Sequence, residues 1–122
     1  MTTTMPQKPT CSRGDVVLVL FPHSDLRTAK PRPAVVVQAN DLDTGMSQVI
    51  VAMISSRMFR AGHPSRVVIS LSSTSGRASG LLSDSVVMAD NVATVMVAAI
   101  DRVIGSVPMA AIDVALRHTL GL

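Results

Sequence analysis

Five short apolar runs, rich in β-branched residues and separated by turn-forming residues, constrain this chain more than any other feature. They are Val16–Phe21, Ala34–Gln38, Val49–Ile54, Arg66–Leu71 and Ser85–Met88. Runs of that length and composition read as β-strands. Three of them are continuous rather than alternating, which calls for cover on both faces or burial in a dimer. Pro22 and Pro33 bracket the first connection, and proline is expected outside a central strand. Residues 39–48 form a turn-rich connection, and the Ser/Gly-rich stretch from Ser72 to Gly80 reads as a loop. Thr94–Ala99 reads as a short helical turn, followed by a strand over Ile100–Val107.

The C-terminus changes period. Met109, Ile112, Leu116 and Leu120 fall at helical spacing, and Asp113 and Arg117 form an i,i+4 pair. A cap near Ser106, Pro108 in the first turn and Gly121 as the stop complete the pattern. The expectation is an α+β domain. It would be a small, strongly bent barrel of five to six mainly antiparallel strands with a C-terminal α-helix. Residues 1–12, polar and rich in Thr and Pro, read as a flexible tail, and residues 13–122 as one domain.

With 122 residues, 48% of them hydrophobic, the chain suits one core. Phe21 and Phe59 are the only aromatic residues of the Phe/Trp/Tyr class. Single strands of nucleic acid are gripped largely by stacking, so an RNA-binding role here must lean on charge and hydrogen bonds. Eleven Lys/Arg against eight Asp/Glu give a formal charge of +3, which permits a polyanionic partner. The single cysteine, Cys11, cannot form an intrachain disulfide, and a reducing cytoplasm fits. The run Val16–Phe21, closed by Asp15 and Pro22, is too short to span a membrane.

His23, His63 and His118 are far apart in sequence and lack companions at ligand spacing, so no metal site is expected. No GxxxxGK[ST], GxGxxG or GxSxG pattern occurs, and no cofactor is expected. An arginine-and-hydroxyl set remains. Arg32 lies between Pro31 and Pro33, which stiffen its backbone. Its structural reading is a cation paired with a carboxylate. Ser55, Ser56 and Arg57 end an apolar strand, as any turn might, or as a phosphate-holding hydroxyl beside a cation would. Asp90 and Asn91 read first as a loop after a strand, and Asp15 and Asp84 as strand-flanking solvent residues.

The order of these pieces carries more than each alone. Arg13-Gly14-Asp15-Val-Val-Leu-Val comes first, then Arg32-Pro33-Ala34-Val-Val-Val and Val51-Ala52-Met53-Ile54-Ser55-Ser56. Asp84-Ser85-Val86-Val87, Asp90-Asn91-Val92-Ala93-Thr94, Arg102-Val-Ile-Gly105 and the terminal helix follow. In that collinear order the chain resembles the MazF/PemK family of type II toxin–antitoxin toxins from Arg13 to Leu122. The resemblance implies an SH3-like barrel of the CcdB/MazF type, usually a homodimer. It also implies metal-independent, sequence-specific cleavage of single-stranded RNA, and a cognate antitoxin with an acidic disordered tail.

Carried over by position, the catalytic arginine would be Arg32 and the catalytic hydroxyl Ser55, where the family commonly has Thr. Asp90 matches an acidic or amide position implicated in some members, whereas a nearby basic position falls at Met88. The first loop, through His23 and Asp25, departs from the family pattern. The implied chemistry is attack of the 2′-hydroxyl on its own phosphodiester, with Arg32 stabilising charge and Ser55 adding a hydrogen bond. An arginine is a poor base, so His23 or Asp25 is a candidate to take the proton. Lys30, Ser56, Arg57 and Asn91 would hold flanking RNA. Two alternatives compete: a non-enzymatic, CcdB-like gyrase poison on the same barrel, and an SH3-like peptide-binding module.

Overall fold

The computed structural model describes residues 10–22, 25 and 27–122. Six antiparallel strands form one sheet: β1 (Asp15–Pro22), β2 (Ala29–Val36), β3 (Gln48–Ser55), β4 (Arg66–Ile69), β5 (Ser85–Met96) and β6 (Ile100–Ser106). Their spatial order is β4-β5-β3-β2-β1-β6. The two end strands do not pair with each other, so the expected barrel is an open, bent sheet. Two helices, α1 (Thr74–Ala78) and α2 (Ala110–Leu120), complete the α+β fold.

The continuous apolar runs are explained by cover on both faces. Neighbouring residues of a strand point to opposite sides of a sheet, and here both sides carry a core. Val16, Val35, Ala52, Val87 and Ile112 belong to one cluster. Val17, Val19, Ala34, Val36 and Val51 belong to the other. At roughly 25 cal/mol per Å² of apolar surface, such branched side chains are the main stabilising term in a chain so poor in aromatics.

Several expectations need correction. Strand β2 begins at Ala29 and runs through Pro31-Arg32-Pro33, pairing with β1 at Leu20↔Pro31, Val19↔Arg32 and Leu18↔Pro33. The prolines are tolerated because β2 meets β3 only over Ala34–Val36. Two prolines two residues apart lack N–H groups on the same side of the strand, and that side is the unpaired one.

Strand β5 is much longer than Ser85–Met88. Its ladder with β3 jumps from Met53↔Met88 to Ala52↔Val92, so Ala89, Asp90 and Asn91 form a bulge inside a strand, not a loop after one. The segment read as a loop from Ser72 holds α1, because the Ser73 hydroxyl accepts the Gly76 N–H at 2.9 Å as an N-cap.

Helix α2 starts later than expected, with no side-chain cap. The Val107 N–H is committed to the Gly14 carbonyl at 2.9 Å, which holds the chain extended up to Pro108. Asp113 pairs with Arg13 rather than with Arg117. Ile112 and Ala115 are buried, while Leu120 is 62% exposed. Gly121 ends the helix in the left-handed region, φ 72°, as expected.

Of the tail expected over 1–12, residues 1–9 lie outside the described part. Cys11 packs against the second core cluster, and the Ser12 N–H donates to Asp15 at 2.8 Å. No described helix is long and apolar enough to cross a membrane.

Candidate active site

The β2–β3 ladder stops at Ala34↔Met53. Extending its register by two residues sets Arg32 opposite Ser55, and side-chain alternation puts both on the face of Ala34 and Met53. The two strands part at this point, and a groove of about 990 Å³ opens there. Proline-stiffened backbone on one side and a strand end on the other fix the two side chains across its mouth.

The groove is lined by five cations, Lys30, Arg32, Arg57, Arg60 and Arg102. Among the described residues it is lined by no carboxylate and no histidine. Ser55, Ser56 and Asn91 add neutral hydrogen-bonding groups. Arg32 is exposed and makes no ion pair with a described residue, so the carboxylate partner of the structural reading is not found. The Ser55 hydroxyl oxygen accepts the Arg57 N–H at 3.1 Å. Its own proton remains available to donate to a ligand. Such a surface suits an extended polyanion whose phosphates sit between fixed donors.

All six positions expected from sequence as Arg32, Ser55, Lys30, Ser56, Arg57 and Asn91 line this one groove. Two other described candidates do not. Asp90 points its carboxylate at Arg66, whose Nε and Nη2 donate to it at 2.9 and 2.7 Å. The Arg66 guanidinium accordingly holds the Asp90 carboxyl below the usual range. Asp25 closes a turn, accepting the backbone N–H groups of Arg27 and Thr28, which lower its pKa. His23 lies outside the described residues. His63 and His118, distant in sequence, meet edge to face with ring centroids 6.1 Å apart. No group of three metal-ligating side chains occurs among the described residues.

Arg60 and Arg102 were missed as site residues. A 3₁₀ turn (Met58–Arg60) brings Arg60 in, since residues three apart eclipse on such a turn and Arg57 already faces the groove. The spacing Arg57–Arg60 was the available signal. Arg102 arrives through its pairing with Leu18 across β1–β6, which only the tertiary fold decides. A second concavity of about 340 Å³, beside Cys11, is lined by Asp41 and Asp43 and has the wrong sign for a polyanion.

Residues 12–120 match the family model of PemK-like, MazF-like toxins of type II toxin–antitoxin systems. The chain belongs to this family. Solved structures with the same fold include an endoribonuclease in complex with its cognate antitoxin from a mycobacterial species, with TM-score 0.71 and 22% identity. That likeness covers 93% of this chain and 97% of the other. The Mycobacterium tuberculosis toxin MazF-mt6 aligns with TM-score 0.68 and 22% identity, over 88% and 97% of the two chains. A MazE–MazF structure from Deinococcus radiodurans gives 0.65 and 20%, over 94% of each. At such identities the likeness speaks for the fold. Among curated proteins none matches. This toxin shares its overall fold with those structures, and its groove is the site to interpret.

Proposed function

We propose that this toxin is a sequence-specific, metal-independent endoribonuclease acting on single-stranded RNA, mRNA above all. The observation that carries this reading is the groove in which Arg32 faces Ser55 amid five cations and no described carboxylate. The 2′-hydroxyl gives its proton to solvent water and attacks its own phosphodiester, the bond to the 5′ oxygen breaks, that oxygen takes a proton from water, and the products are a 2′,3′-cyclic phosphate and a 5′-hydroxyl end. The guanidinium of Arg32 stabilises charge on the non-bridging oxygens as the pentavalent state forms. Ser55 donates to the same phosphate, while the Arg57 N–H holds its oxygen in place. Lys30, Ser56, Arg57 and Asn91 bind the flanking strand, and Arg60 and Arg102 join them.

Asp90 is engaged by Arg66, so it is read as structural rather than as an acid or base. The similar structures, an endoribonuclease with its cognate antitoxin and a MazE–MazF complex, support the same activity and a cognate antitoxin as partner. An acidic disordered antitoxin tail would meet its charge complement in this groove. We further read residues 13–122 as one domain that works as a homodimer in the cytoplasm.

The test is cleavage of a long single-stranded RNA by purified protein in EDTA. Cutting with cyclic-phosphate ends is expected, and Arg32→Ala should lower the rate by about 10²–10³. Loss of cutting in EDTA, or full cutting by Arg32→Ala, would sink the mechanism. Inhibition of gyrase supercoiling without RNA cleavage would instead favour the CcdB-like alternative.

A further inference from the structure

Of the two phenylalanines, Phe21 packs against the second core cluster, but Phe59 is 79% exposed. It sits in the middle of the Met58–Arg60 turn, between Arg57 and Arg60, both of which line the groove. The Arg60 guanidinium lies 5.8 Å from the Phe59 ring centroid. An exposed phenyl ring carries a cost in water that a purely structural turn does not require.

The turn is also unusually well held. Arg60 N–H donates to Arg57 O and Ala61 N–H to Met58 O, each at 3.0 Å. Arg66 Nη1 donates to the Arg60 carbonyl at 2.9 Å while the same guanidinium grips Asp90 in the β5 bulge. The ring is thus presented on a braced platform at the rim of a cationic groove. A rigid aromatic beside paired cations matches a planar base carried on a phosphate chain.

We propose that Phe59 is a base-stacking subsite for an unpaired nucleotide next to the segment held in the groove. This rests on the endoribonuclease reading and deepens it. It also revises the expectation from composition that RNA would be held by charge and hydrogen bonds alone. A flexible single strand can splay one base onto the ring, whereas a duplex keeps its bases stacked within itself.

The chain has no Trp, so Phe59→Trp creates a single fluorescent reporter at the site. The probe is a 2′-O-methyl single-stranded oligonucleotide, which binds but cannot be cut. Quenching is expected with this probe, and not with an abasic version that keeps every phosphate. Phe59→Ala should weaken binding and raise KM about five- to hundredfold, with Phe59→Trp restoring both. Val114→Ala, which removes another exposed apolar side chain on α2, should change neither. Equal quenching by the abasic probe, parental KM in Phe59→Ala, or a change in oligomeric mass in Phe59→Ala would overturn the stacking role. The last result would make the ring an interface contact. Quenching reads binding and product analysis reads chemistry. Quenching by the 2′-O-methyl probe without any cleavage of the unmodified RNA would therefore refute the nuclease reading while leaving the base site standing.

Discussion

Gly105 offers a sharp test of how the groove wall is built. It pairs with Val16 across β1–β6, and the end of α1 packs directly on it. A Cβ there would lie 2.4 Å from the carbonyl oxygens of both Ala78 and Ser79. Comfortable carbon contacts need roughly 3.5 Å, so backbone on one side must retreat by about 1 Å. Overpacking of this kind costs about 1–3 kcal/mol, and the upper end applies because no side chain can swing away. At about 4 °C per kcal/mol for a chain of this size, Gly105→Ala should lower Tm by roughly 8–12 °C.

Gly121→Ala is the matched control, with the opposite cause. Nothing lies within 4 Å of its Cβ, and only its φ of +72° is strained, a penalty of about 1 kcal/mol or roughly 4 °C. Thermal unfolding followed by circular dichroism measures both. Cleavage by Gly105→Ala well below its Tm should also fall, because residues Gly80–Ser83 of the groove wall follow directly from the displaced Ser79. A Gly105→Ala protein as stable as the parent, or less affected than Gly121→Ala, would refute the packing of α1 on β6.

Asp90 has a depressed folded pKa, so its pairing contributes stability at neutral pH. That contribution starts to fade as pH falls to the ordinary value of 3.8 and is gone below the folded value. Urea midpoints at pH 7 and pH 3 should therefore differ less in Asp90→Asn than in the parent, and an unchanged difference would remove Asp90 from the acid response. If Arg60 contacts phosphate, Arg60→Ala should reduce the salt slope of single-strand binding by about 0.7; an unaltered slope in a titration series would place it off the RNA path. Ser55→Thr should keep cleaving because the hydroxyl is retained, and Ser55→Ala should lose about 10²–10³ in rate. Comparable single-turnover rates for the two would discard Ser55 as a donor.

The strand runs, the C-terminal helix and the residues around Arg32 and Ser55 were legible in the sequence because each depends on local order. Alternation, β-branching, proline geometry and a left-handed glycine act within a few residues. What the sequence by itself determined was therefore where the apolar strand runs and the C-terminal helix lie, and which cation and hydroxyl border those runs. The tertiary structure decided what those segments meet. Asp113 lies an ideal helical step from Arg117, yet it pairs with Arg13 from the far end of the chain. Asp90, eligible by position as a catalytic acid, is committed to Arg66 by the β4–β5 register and a bulge. Arg102 enters the groove only because β6 closes against β1, and Phe59 leaves the core because a turn braced from β4 turns it outward. Each of these depends on contacts between residues far apart in sequence, where pairing energies of distant groups outweigh local preference.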